Sequence, residues 1–158
     1  MLNLVKSVLV TCFLSMICLP SVVVAQSSTA STNMRADAEQ LLLKAVKKVT
    51  KEGKNSFAAI NDPKGEFVKG ELYVFVVGKD DGLFYAHGNA AGLVGTDAKV
   101  LLDPDNRFII QEMLTLAKQK DSGQISYVWK NPSTNKLQAK TTRFEAVGKY
   151  VVAVGFYN

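Results

Sequence analysis

Apolar residues recur at two different spacings along this chain, and the change of spacing marks its elements. From about Asn33 to Glu52, Ala38, Leu41, Leu42, Ala45, Val46 and Val49 follow one another at three and four residues, which predicts a helix of about five turns with a single apolar stripe. Asn33 is the expected cap, Asp37 and Glu39 suit the start, lysines suit the end, and Gly53 stops the helix. Phe57, Ala58 and Ile60 predict a short further helical turn before the turn at Pro63-Lys64-Gly65. The spacing then changes to two. Tyr73 to Val77 and Leu83 to His87 predict strands joined by a turn at Lys79-Asp80-Asp81-Gly82, since glycine supplies the positive φ that a hairpin needs. Alternation places Tyr73, Phe75 and Val77 on one face, and Leu83, Tyr85 and His87 on one face of the partner strand.

Gly88 to Leu102 predicts a loop over the sheet. Asp103-Pro104 predicts the start of a second helix, with Phe108, Ile109, Met113, Leu116 and Ala117 as its apolar face. Three strands follow, Gln124 to Trp129, Lys136 to Phe144 and Tyr150 to Tyr157, with hairpin turns between them. Hairpins force antiparallel neighbours. The expected fold is therefore α+β: a five-stranded antiparallel sheet with a long N-terminal helix and a second helix between strands 2 and 3.

The first 25 residues predict a secretory signal peptide, with Lys6 as the lone early cation, an apolar run from Val8 to Val24, and cleavage after Ala25. The alternative is an uncleaved N-terminal anchor, because the run approaches the length of a span. Ile17 before Cys18 does not suit a lipoprotein. Both cysteines, Cys12 and Cys18, lie in this segment, so the cleaved chain has no disulfide or thiolate chemistry. Residues 26–33, polar and of low complexity, predict a disordered tether, and residues 34–158 a single domain large enough to bury its own core. The net charge is +5, and Lys44, Lys47, Lys48 and Lys51 fall on the long helix. With no aromatics interleaved they suit a solvated face better than a nucleic-acid or membrane patch, so no nucleic-acid partner is expected.

Enzymatic equipment is sparse: one histidine, no cysteine after cleavage, and no glycine-rich phosphate loop. No enzyme activity, no cofactor and no metal are expected. Asp80-Asp81, Asp103 and Asp105 lack the bidentate glutamate and glycine of a calcium loop, and suit turns and caps. Alternation groups Ile125, Tyr127 and Trp129, and separately Lys140, Thr142 and Phe144. If both groups face Tyr73, Phe75 and Tyr85, a lysine stands among rings, and a partly desolvated ammonium there favours an anion. Taken singly, the aromatics are ordinary core residues, His87 is a hydrogen-bonded strand end, Lys140 snorkels to water, and Arg107 and Arg143 are surface charges.

The ordered motifs resemble those of a single Cache domain: the lysine-bearing helix, Asn61-Asp62-Pro63-Lys64-Gly65, Leu72 to Val76, Asp81-Gly82 with Tyr85-Ala86-His87, Leu93-Val94-Gly95, Tyr127-Val128-Trp129-Lys130-Asn131-Pro132, Lys140 and Val154-Gly155-Phe156-Tyr157. These are extracytoplasmic sensor domains of bacterial receptors, with a PAS-like sheet behind a long helix, and the resemblance covers residues 34 to 157. It implies a cavity binding a small organic acid of the acetate, propionate or pyruvate class, feeding signal transduction or chemotaxis from the periplasm. By position, it implies that Lys140 meets the carboxylate, Tyr127 and His87 donate hydrogen bonds, and Tyr73, Phe75 and Trp129 form walls, to which the alternation of the strands adds Tyr85 as an expected ligand contact. Implied partners are a membrane receptor or histidine kinase, and a second copy paired through the N-terminal helix. Arg143, where many relatives have a tyrosine, departs from the pattern, and the chain resembles the sensor module alone. The competing expectation is a protein-interaction or dimerisation module with a vestigial pocket, in which the Ala38 to Val49 stripe meets a partner helix.

Overall fold

The computed structural model describes residues 25–158, so all but the last residue of the expected signal segment lies outside the described residues. Helix α1 spans Ala25–Glu52 and ends where Gly53 takes a positive φ of 56°. Residues 26–33, expected as a disordered tether, are part of this helix, and Asn33 lies inside it rather than capping it. Extending an existing helix adds one hydrogen bond per residue, and a run of Gln, Ser, Thr and Ala without Gly or Pro costs only a few tenths of a kcal/mol per residue. Among the described residues no helix is long and apolar enough to cross a membrane.

A single turn, α2 (Phe57–Ile60), leads into six strands: β1 (Val68–Lys69), β2 (Leu72–Gly78), β3 (Phe84–His87), β4 (Ser122–Lys130), β5 (Leu137–Val147) and β6 (Tyr150–Tyr157). All described pairings are antiparallel, in the order β1-β2-β6-β5-β4, with β3 also on β2. The expected five strands become six because β1, two residues long, is too short to show alternation.

Helices cover both faces of the sheet, so its centre excludes water on both sides. One core joins Ala38, Leu41, Leu42, Ala45, Val46 and Val49 of α1 to Val74, Val76, Val152, Val154 and Phe156. The other joins Ile109, Ile110, Met113, Leu114 and Ala117 of α3 (Ile109–Gln119) to Phe75, Val77, Ile125, Phe144, Val151 and Ala153. Strands β2 and β6 are buried at every position and read as near-continuous apolar runs for that reason. The whole α1 stripe is thus covered by the chain's own sheet, which removes the surface that a partner helix was expected to use. Ion pairs fasten α1 to its neighbours: Lys44 with Glu66 (2.8 Å), Asp37 with Lys69 (2.7 Å) and Glu39 with Arg143 (2.9 Å). Half-exposed pairs of this kind add little stability each.

Helix α3 begins at Ile109, not at Asp103. The buried Asp103 carboxylate accepts the N–H groups of Asp105 (3.0 Å) and Arg107 (2.9 Å), and Asn106 has φ of 61°, so this segment closes as a loop before the helix can start.

Candidate functional site

The β2–β3 pairing sets the site. Phe75 lies opposite His87 and Val76 opposite Ala86, but Val77 lies opposite Phe84, so the register shifts by one residue between Val76 and Val77. Such a bulge moves the following side chain to the other face. Phe84 therefore joins Phe75 and His87, whereas Tyr85, expected on that face, lies on the α1 side. There it packs against Phe57 (5.8 Å between ring centres) and Tyr150 (5.0 Å), and its hydroxyl donates to Asp81 (2.7 Å).

On the α3 side, Tyr73, Phe75, Phe84, His87, Leu101, Ile109, Ile110, Tyr127 and Trp129 line a cavity of about 20 Å³. The His87 ring is stacked near Tyr73 (5.0 Å) and Phe75 (5.9 Å) and meets Phe84 edge-on (5.5 Å). Its Nδ1 accepts the Ala90 N–H at 3.0 Å, which leaves the proton of the neutral ring on Nε2. Burial, reinforced by the positive charge of Lys140, lowers the His87 pKa to about 4, so the ring is neutral near pH 7.

That shift predicts acid lability. The folded-state value lies below the ordinary 6.5, so the contribution of His87 to stability is complete above about pH 6.5 and is lost as pH falls toward 4. The expected loss is about 2–3 kcal/mol. It is measured by melting between pH 7.5 and 4.5, and His87→Gln should flatten the profile.

Lys140 carries the most unusual chemistry. Its side chain is 1 % exposed, and among the described residues no carboxylate lies within ion-pair distance. The Nζ donates to the Tyr73 hydroxyl at 2.8 Å and lies 4.3 Å from the centre of the Tyr73 ring and 5.0 Å from that of Tyr157. Burial lowers its pKa to about 7, opposed by the field of Glu71. The surrounding phenols stay protonated: burial pushes Tyr73 up to about 12 and raises Tyr127 and Tyr157 further. Tyr127 and Thr142 share a hydrogen bond of 2.8 Å, and the Tyr157 hydroxyl donates to the Lys130 carbonyl at 2.9 Å.

Of the residues expected at the site, Tyr73, Phe75, His87, Tyr127 and Trp129 line the cavity, and Lys140 reaches it through Tyr73. Tyr85 does not. Phe84, Leu101, Ile109 and Ile110 complete the lining unexpectedly. Phe84 was hidden by the bulge and the two isoleucines by the misplaced start of α3, whereas Tyr157, directly opposite Lys140, follows from pairing β5 with β6. Chemically, the site is a ring-lined hollow with neutral donors and one desolvated amine.

Comparison with known proteins agrees with this architecture. The family model dCache_2, described as Cache domain, matches residues 64–158. A 46-residue stretch is 37% identical to the methyl-accepting chemotaxis protein McpP of Pseudomonas putida and covers 29% of this chain but only 8% of that receptor. A methyl-accepting chemotaxis protein structure from Vibrio parahaemolyticus has the same fold, with a TM-score of 0.64 at 20% identity over 83% of this chain and 90% of that one. So does a Cache chemosensory domain solved to explain carboxylic acid recognition, at TM-score 0.61 and 18% identity over 83% of this chain and 95% of that one. The chain belongs to the Cache domain family.

Proposed function

We propose that this domain binds a small organic acid of the acetate, propionate or pyruvate class outside the inner membrane, and that it passes the binding event to a membrane receptor or kinase. The observation that carries this reading is the Lys140 amine, fully buried, lacking a carboxylate partner among the described residues and joined through Tyr73 to a ring-lined cavity. A buried cation without a counter-ion is costly, and a ligand carboxylate supplies the missing charge. His87 Nε2–H is a neutral donor for a second oxygen, and the rings exclude water around the pair. The fold relative solved for carboxylic acid recognition supports the same class.

The cavity is about 20 Å³, room for one water rather than an acid. Entry therefore requires the lining to part, and the covering loop that carries Leu101, together with the half-buried Trp129, forms its outer wall. Small size bounds the affinity: the four heavy atoms of acetate at about 1.5 kcal/mol each give about 6 kcal/mol, a dissociation constant of tens of micromolar at best, and the six of pyruvate allow about micromolar.

Thermal-shift measurement with acetate, propionate and pyruvate tests the reading, with acetamide as the uncharged control. At a hundredfold excess over Kd the ligand adds about 2.7 kcal/mol, a rise of several degrees. No rise with any of the acids, or an equal rise with acetamide, would sink it. Tyr85→Phe should leave acid affinity and melting temperature nearly unchanged, because its hydroxyl donates to Asp81 in an exposed bond on the opposite face.

A further inference from the structure

We infer that Gly155 is the positioning residue of Lys140: its missing side chain is the gap through which the amine crosses β6 to reach Tyr73. Lys140 lies on β5 and Tyr73 on β2, with β6 between them. Two strand spacings separate the donor and acceptor backbones, about 9–10 Å, so the lysine must lie across the face of the intervening strand. Along β6 the neighbours on that face are Ala153 and Tyr157, and the space between them belongs to Gly155, directly opposite Thr142.

A Cβ built on Gly155 would overlap Lys140 Cε and would stand 2.7 Å from Thr142 Oγ1 and 3.0 Å from Lys140 Nζ. The nearest atoms are the far ends of two side chains rather than backbone. An added methyl group therefore displaces the amine and turns the Thr142 hydroxyl away from Tyr127 before it disturbs the sheet. Glycine in a strand interior weakens the strand, and close approach of another group is a recognised reason to find one there. Here the approaching group is the chain's own cation. The significance of Gly155 for ligand capture rests on the acid-binding reading, but its control over Lys140 does not.

The experiment is a pH titration of the lysine ε-methylene signals in ¹³C-labelled protein, with Lys140→Ala used to assign the Lys140 signal, and a parallel acetate titration. In Gly155→Ala the Lys140 midpoint should move from near 7 toward the ordinary lysine value of 10.5 as the amine is driven toward water. Acetate affinity should fall by about tenfold or more. An unchanged midpoint with unchanged affinity would overturn the assignment. If the Gly155→Ala midpoint moves but acetate binding is absent or unchanged, the positioning role stands and the acid reading fails; if the wild type binds acetate and the Gly155→Ala midpoint stays near 7, the positioning role fails alone. Should Gly155→Ala fold poorly, the double variant with Lys140→Ala decides the matter. Its melting temperature should recover most of the loss if the lysine is what the methyl group strikes, and an equal loss in both backgrounds would overturn the assignment.

Discussion

Lys140→Met should reduce acetate and pyruvate affinity by at least a hundredfold, about 2.7 kcal/mol, while the melting temperature of the free protein holds or rises. The two effects have one cause. The amine is buried beside two rings, and among the described residues a phenol is its only close hydrogen-bond partner, so the fold bears the cost of desolvating it until an anion arrives. Methionine keeps the length and flexibility of the side chain, removes that cost, and removes the charge that the ligand needs. Lys140→Arg should not rescue binding, because a planar guanidinium needs more room than the gap over Gly155 provides. Calorimetric titration of the three proteins checks this, and full affinity in the methionine variant would contradict it.

Acid affinity should also fall steeply in mild alkali, approaching tenfold per pH unit well above 7, hence about fiftyfold between pH 7 and 9. The sign follows from which form binds. The ligand stays ionised throughout, so it needs the ammonium, which the free folded protein loses above about pH 7. The stability of the free protein moves the other way. Because the folded-state value lies below the ordinary 10.5, the unfolded amine holds its proton more tightly, and the Lys140 contribution to stability grows as pH rises from about 7 to 10.5. Opposite trends in affinity and free-protein stability over the same range distinguish this lysine from an exposed one. In Lys140→Met both trends should flatten.

How much of this was legible in the chain depended on whether an unbroken period ran through the residues concerned. Ala38 to Val49 repeat without interruption, and their helix and its buried face follow directly. Alternation on β4 and β5 likewise groups Tyr127 with Trp129 and Lys140 with Thr142, and the strand register then sets Tyr127 opposite Lys140. Period counting fails where the chain breaks step. The register shift after Val76 exchanges Tyr85 for Phe84, and local propensity gives no sign of it. Asp103-Pro104 has the chemistry of a helix start, yet the aspartate's acceptor closes a loop on Arg107 instead, because the same oxygen serves either purpose. Gly155 has no side chain to count in a pattern, and its role emerges only when β5, β6 and β2 are laid side by side.

The most direct test is a crystal structure of the domain grown with pyruvate. The account predicts the acid in the hollow among Tyr73, His87, Tyr127 and Trp129, its carboxylate within hydrogen-bond distance of Lys140 Nζ and the lining parted around it. A hollow still closed at saturating pyruvate, or an acid held elsewhere with the Lys140 amine still on Tyr73 alone, would contradict it.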